Sequence, residues 1–346
     1  MRTRRAWGDH RLYVKRDDLT GCALTGNKVR KLEFLLADAE RRGADTLLTC
    51  GGVQSNCARA AAIAAAQLDM HCVLLLTGEQ PDEADGNLLL DRLTGAHVHF
   101  LPGATGHQRD TALLSMDEEL RSLGRRPYLI PFGGSSDVGT LGYVHAAFEM
   151  AEQAKACNAP IGDVVVAIAS GGTYAGMLLG FKLAGLNVRL VGAVVEGDPQ
   201  KWPAELLELA AGAARIIDAP MTLRESDVTL LDARGLGYGK PSAGELDYIT
   251  DFVRDTGLIV DPVYTGKALH AYDRALADGL APPKGDVMFV HTGGSFSIFP
   301  FKTGLTQALE RRDQPREALR LPRSPVLNNP RVVPLPQRIS IASPYE

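Results

Sequence analysis

Lys28 stands in Thr25-Gly26-Asn27-Lys28-Val29-Arg30-Lys31, a turn that leads into a helix. Held at a Gly-Asn corner rather than on a solvated helix face, its amine can be aimed into a cleft and desolvated. Desolvation lowers the pKa of a lysine and makes its amine a nucleophile or a Schiff-base former. Four other segments carry groups that such an amine could work with. In Ser170-Gly171-Gly172-Thr173 the small residues let backbone N–H groups converge at a helix N-terminus, with two hydroxyls in reach. That combination suits an anion. It follows neither the GxGxxG nor the P-loop pattern, so a dinucleotide or nucleoside triphosphate is disfavoured, and an ordinary tight strand-to-helix turn is the competing reading.

Gly51-Gly52-Val53-Gln54-Ser55-Asn56 holds the equivalent place earlier in the chain. Its glycines allow close backbone approach, and Gln54, Ser55 and Asn56 offer polar groups for a carboxylate or a phenolate oxygen. Ser55 or Asn56 could instead cap the helix that follows, although a cap does not require two glycines before it. Asp261-Pro262-Val263-Tyr264-Thr265-Gly266-Lys267 puts an aromatic ring beside a hydroxyl just before a helix, where Thr265 could be only an N-cap and Tyr264 only core. His291-Thr292-Gly293-Gly294 is a further glycine corner at a strand end. Tyr238, in Gly235-Leu236-Gly237-Tyr238-Gly239, presents a phenol from an open loop, and Ser242-Ala243-Gly244-Glu245 beside it is a capping box.

The elements that position these segments follow from periodicity. Leu32, Leu35, Leu36 and Ala39 fall at helical spacing, with Gly43 as a stop. Strands are expected at 46–49, 72–76, 97–101, 164–168, 190–195 and 287–290, and helices at 57–68, 87–93 and 174–183, with more helices between the later strands. Continuous Val/Ile/Leu strands alternating with helices predict an α/β fold of parallel sheets covered on both faces, whose ligands bind at the strands' carboxyl ends. From Pro315 to Pro344 prolines recur without helical or strand period, which predicts an extended arm, disordered or draped on another surface such as a second subunit.

Composition excludes several classes. With 346 residues the chain can form two domains around one cleft. A net charge of -4 disfavours nucleic acid, and no apolar run reaches membrane-spanning length. The basic start Met1–Arg5 is followed by no apolar stretch, so no secretory signal is expected. Five cysteines without a CxxC pair point to reduced thiols in a cytoplasm. His97 and His99 share a strand face but are too few for a metal site, and no metal is expected.

The order and context of five motifs then become specific: Lys28 in Asn-Lys-x-Arg-Lys, Gln54-Ser55-Asn56, Ser170-Gly171-Gly172-Thr173, Asp261-Pro262-Val263-Tyr264 and His291-Thr292-Gly293-Gly294. Together they resemble the 1-aminocyclopropane-1-carboxylate deaminase / D-cysteine desulfhydrase family over roughly Leu12 to Phe301. The resemblance implies a pyridoxal-phosphate enzyme of fold type II, with two open, twisted, mainly parallel sheets flanked by helices and the cofactor in the interdomain cleft. It implies a large cofactor-binding domain from residues 1–42 and 146–314, a small domain from 43–145 and a C-terminal arm from 315–346.

It also implies that Lys28 carries the cofactor, that Ser170, Gly171, Gly172 and Thr173 hold its phosphate, and that Asn56 meets its phenolic oxygen. Tyr264 stacks on the ring, while Thr265 and Thr292 occupy the positions that set its chemistry. Gln54, Ser55, Asn56, Tyr238 and Phe296 face the substrate, with Tyr238 as an acid candidate. The deaminases resemble one another in carrying Glu and Leu where this chain has Thr265 and Thr292, so the pattern is desulfhydrase-like. A hydroxyl leaves the pyridine nitrogen less protonated than a carboxylate does and the ring a weaker electron sink. That suffices for expelling a good leaving group and falls short of opening a cyclopropane. The expected reaction is β-elimination from a D-cysteine-like amino acid to pyruvate, ammonia and sulfide, with Lys28 removing the Cα proton. Deamination of the cyclopropane amino acid is the alternative, as is a specialised lyase or β-replacement enzyme. Cys57 stands where the desulfhydrases resemble one another in having His, and Phe296 where a smaller residue is usual. A homodimer is expected.

Overall fold

The computed structural model describes residues 1–280 and 282–312, so the proline-rich arm lies outside the described residues. Among these, the chain runs β1 (Arg2–Trp7), β2 (His10–Arg16), α1 (Asn27–Arg41), β3 (Thr46–Gly52), α2 (Asn56–Gln67), β4 (His71–Thr77), α3 (Gly86–Leu93), β5 (His97–Leu101), α4 (Gly106–Ser122) and β6 (Pro127–Ile130). It continues through α5 (Asp137–Ala156), β7 (Ile161–Ile168), α6 (Gly172–Leu183), β8 (Arg189–Val194), α7 (Trp202–Ile216), β9 (Thr229–Asp232), α8 (Ala243–Thr256), α9 (Thr265–Ala277), β10 (Asp286–His291) and α10 (Lys302–Arg312).

Two sheets result. Six strands lie in the order β1-β2-β10-β7-β8-β9 and four in the order β5-β4-β3-β6. All pairings are parallel except the β1–β2 hairpin. The four-stranded sheet is drawn from residues 46–130 alone. The expected α/β architecture is present, and the elements expected from periodicity are found within a few residues of their bounds.

Four strands fall outside the expected set, each for a visible reason. β1 (Arg-Thr-Arg-Arg-Ala-Trp) is an edge strand with three arginines in six residues, so it has no apolar run to detect. β2, beside it, is half charged. β6 and β9 are four-residue strands, too short for a periodic signal.

α6 is buried on every side, wedged between the sheet and α5. Gly176 and Gly180 permit that approach: a Cβ at Gly176 would stand 2.5 Å from the Thr140 carbonyl oxygen, and one at Gly180 2.7 Å from that of Val144. A helix so gripped holds its first turn, which follows the Ser170 loop, in a fixed place.

α1 is anchored at both ends of its first turn. Asn27 N donates to the Thr292 carbonyl at 3.0 Å, fastening the helix start to the end of β10. Gly26 has φ +88°, and a Cβ there would meet that same carbonyl at 2.7 Å, so only glycine fits. One turn on, Arg30 donates to both oxygens of fully buried Asp17 at 2.9 and 2.8 Å, and Tyr143 of α5 donates to it at 2.6 Å.

Arg30 also pairs with Glu149 at 2.8 Å, and Lys15 reaches the same carboxylate. Burial works to raise the pKa of Glu149, but hydrogen bonds from Arg30 and Lys15 outweigh it and hold the group at about 2. A carboxylate held below its ordinary value of about 4.3 stabilises the fold above that pH and loses the contribution as pH falls toward 2. Urea midpoints measured between pH 5 and pH 2.5 should therefore fall more steeply for the wild type than for Glu149→Gln.

Candidate active site

The cavity that matters opens at the carboxyl ends of β7 and β10. Lys28, Asn56, Ser170, Thr173, Tyr264 and Thr292 line it, together with Gly171 and Gly293. Segments more than 250 residues apart in sequence thus meet around one space, as ligand sites of open parallel sheets do.

Lys28 sits on the first turn of α1, and burial lowers the pKa of its amine; the neighbouring Cys57 thiol acts the other way and Arg59 adds to the lowering. A lowered pKa favours the neutral amine, the form that a nucleophile or base requires. Three residues on, Lys31 is also buried and lowered well below the usual range, first by desolvation and then by Lys28 itself. Its Nζ is committed elsewhere, donating to the Gly133 carbonyl at 3.1 Å and to Ser135 Oγ at 3.0 Å. Lys28, not Lys31, lines the cavity.

The start of α6 is built for an anion. Gly171 at the N-cap has φ +82° and supplies no side-chain cap, so none of the helix's first donors is spent on its own N-cap residue's side chain. Gly172 N donates to Ser135 Oγ at 3.0 Å, and Ser135 Oγ in turn donates to Ser170 Oγ at 2.8 Å. Thr173 Oγ1 receives Asn27 Nδ2 at 3.0 Å, tying the loop to the turn that bears Lys28. Gly133 (φ +64°) closes the other side: a Cβ there would sit on the Ser170 hydroxyl and 4.0 Å from Lys28 Nζ.

Other sequence-derived candidates lie around the cavity. Asn56, the first residue of α2, has its Oδ1 held by Asn87 Nδ2 at 2.9 Å and Ser297 Oγ at 3.3 Å. Ser55 Oγ accepts from Ala58 N at 3.1 Å and so caps α2. Gln54 is engaged with α3, donating to the Asp85 carbonyl and accepting from Asn87 N, at 2.9 and 2.8 Å. The hydroxyls of Tyr238 and Tyr264 are hydrogen-bonded to each other, with the rings edge to face at 5.8 Å. Thr265 is fully buried, and its hydroxyl donates to Asp261 Oδ1 at 2.6 Å instead of facing the cavity. Phe296 lies under the Arg59 guanidinium, 5.0 Å from its ring centre. Ser242 and Glu245 form the expected capping box.

Sequence reasoning did not single out Gly133, Ser135, Lys31, Asn87 or Glu196, because each gains its meaning only from a neighbour distant in the chain. No cluster among the described residues could hold a metal ion, and all five cysteines are free.

Residues 2–293 match the family described as pyridoxal-phosphate dependent enzyme. The chain belongs to that family. The residues present fit such a cofactor: a glycine-capped helix start with two hydroxyls for a phosphate, a desolvated lysine for an aldehyde, and a tyrosine wall for a ring. Among its relatives, the D-cysteine desulfhydrase of Serratia proteamaculans (strain 568) is 39% identical over 303 residues, covering 84% of this chain and 88% of that protein. The bifunctional D-cysteine desulfhydrase/1-aminocyclopropane-1-carboxylate deaminase, mitochondrial, of Arabidopsis thaliana is 38% identical, covering 83% and 73%. A crystal structure of an ACC deaminase homologue superposes with TM-score 0.80 at 36% identity, over 86% of this chain and 89% of that one. This pyridoxal-phosphate enzyme thus has fold type II and groups with the 1-aminocyclopropane-1-carboxylate deaminase / D-cysteine desulfhydrase family that its motifs resemble.

For this pyridoxal-phosphate enzyme, Gly133→Ala should weaken cofactor binding by about 10-fold or more. Left-handed backbone costs a residue with a Cβ about 1–2 kcal/mol, and the added methyl also displaces the Ser170 hydroxyl. Titration of the apoenzyme with pyridoxal phosphate, followed by visible absorbance, reads the loss.

Proposed function

We propose that this chain is a pyridoxal-phosphate-dependent β-eliminating lyase that acts on a small amino acid of the D-cysteine type, giving pyruvate, ammonia and sulfide. The observation that carries the reading is a cavity lining with a threonine, Thr292, and no carboxylate among the described residues. Thr292 lines the cavity with Lys28 and Tyr264. A ring nitrogen met by a hydroxyl makes a weaker electron sink, enough for the loss of a thiolate and too little for opening a cyclopropane.

Lys28 would hold the cofactor, the Ser170–Thr173 loop its phosphate, Asn56 its phenolic oxygen and Tyr264 the face of its ring. When bound, pyridoxal phosphate supplies the electron sink that makes the substrate's Cα–H acidic. Lys28 Nζ then takes that proton, and burial, by lowering the pKa of the amine, favours the neutral form that can do so. Asn87 keeps Asn56 aimed by holding its Oδ1. Ser55, at the N-cap of α2, stands where a substrate carboxylate would find the helix's open donors. Tyr238 reaches across the cleft, 3.9 Å from where a Cβ on Gly52 would lie, and shields the reacting atoms from water.

We take residues 43–145 as the small domain and 1–42 with 146–314 as the cofactor-binding domain. Five free thiols fit a reducing cytoplasm, and we take the working state to be a homodimer. No described helix is long and apolar enough to cross a membrane.

The holoenzyme should release pyruvate from D-cysteine or β-chloroalanine faster than it releases 2-oxobutanoate from 1-aminocyclopropane-1-carboxylate. Side-by-side keto acid assays with those compounds, L-cysteine and L-cysteate test this. Preferred turnover of the cyclopropane would establish the deaminase reading, and turnover of cysteate alone a specialised lyase.

A further inference from the structure

Glu196 follows β8 at the carboxyl edge of the large sheet. Val194 pairs with Ile168 in register, and Val195 N donates to the Ile168 carbonyl at 2.9 Å, so Glu196 comes level with Ser170 one strand away. Its backbone is pinned: Trp202 Nε1 donates to the Glu196 carbonyl at 2.9 Å, and the same indole packs on both Gly197 and Gly171. The side chain is otherwise unclaimed. Oε2 is buried and has no hydrogen-bond partner among the described residues, an expensive arrangement unless a ligand completes it. The ionisable groups that face the carboxyl are Arg109 of α4, across the cleft, and the phenols of Tyr238 and Tyr264.

We propose that Glu196 is the proton donor to the departing β-group, and that it extends the substrate class from β-thiol to β-hydroxy amino acids. This rests on the eliminating reading above. In the step, Lys28 Nζ takes the Cα proton, the Cβ–X bond breaks with its electron pair going to X, and Glu196 delivers a proton to X. Serine thereby loses water, and hydrolysis of the remaining imine returns a water and frees ammonia, so that serine gives pyruvate and ammonia. Glu196 regains its proton from the Lys28 ammonium or from solvent. Burial supports the assignment by raising the carboxyl to about 7, where it can both keep and give a proton at neutral pH. The same burial drives the Tyr238 and Tyr264 phenols upward, away from useful acidity. A group of this kind matters in proportion to the basicity of what leaves, most for hydroxide, less for hydrosulfide and least for chloride.

The test compares the holoenzyme with Glu196→Gln on serine, cysteine and β-chloroalanine, both enantiomers of each, by pyruvate release. The expected losses in kcat/KM are about 100-fold on serine, about 10-fold on cysteine and at most about threefold on β-chloroalanine, with partial recovery on serine in Glu196→Asp. Equal losses on all three, or none, overturn the donor role. Wild-type enzyme that eliminates chloride but never water also overturns it while leaving the eliminating reading intact. Pyruvate from none of the three overturns both.

Discussion

Lys28→Ala abolishes the visible absorbance of the bound cofactor and lowers keto acid release by about 10³-fold or more, with far-ultraviolet circular dichroism unchanged. Two roles fall on one atom, since Nζ both holds the cofactor and takes the Cα proton, and a positioned base alone contributes about 10²–10⁴-fold. The fold does not depend on that amine, because the start of α1 is held by the Asn27–Thr292 backbone bond and by Asn27–Thr173. The substitution also separates the two buried lysines. Lys31 remains in the variant, but it donates to Gly133 and Ser135 and does not line the cavity. Absorbance that survives in Lys28→Ala and disappears in Lys31→Ala would transfer the role to Lys31.

Asp17→Ala should destabilise the protein by about 3 kcal/mol, measured as the shift in urea unfolding free energy. Asp17 is fully buried and joins three elements: it follows β2, receives the Arg30 guanidinium of α1 through both oxygens, and accepts the Tyr143 hydroxyl of α5. Removing one partner of a buried charged pair leaves the other desolvated and unpaired, which typically costs about 3–5 kcal/mol. The lower figure applies because Glu149 still engages Arg30. Tyr143 loses an acceptor as well, which accounts for about 1 kcal/mol of that total and which Tyr143→Phe should reproduce by itself. Because Arg30 lies two residues from Lys28, the same variant should also bind pyridoxal phosphate less tightly.

How much of this was readable from the chain depends on where each signal resides. The buried parallel strands and the helices between them carry their periodicity locally, and the α/β reading followed from runs such as Val164–Ile168. The charged β1–β2 hairpin carried no such signal, since an edge strand is polar for the reason it is stable there. Lys28, the Ser170 loop and Tyr264 were legible because glycines or a strand end announce a corner in the sequence itself. Gly133 and Ser135 were not, although they support the same loop from a short turn after β6. Their part depends on Ser170, Gly172 and Lys31, which only folding brings to them. Ser55 showed the opposite effect: its residue type suggested both a cap and a binding group, and the cap is made. Thr265, read as facing the cofactor, spends its hydroxyl on Asp261, which leaves Thr292 as the threonine that lines the cavity.

The central claim is that Lys28 takes the Cα proton and the β-thiolate then departs. Turnover of D-cysteine carrying deuterium at Cα, with pyruvate, ammonia and sulfide all quantified, tests it most directly. The predicted result is one equivalent of each product and a primary isotope effect on kcat/KM that follows from breaking the Cα–H bond. Ketoacid formed from 1-aminocyclopropane-1-carboxylate while neither cysteine enantiomer yields sulfide would contradict it.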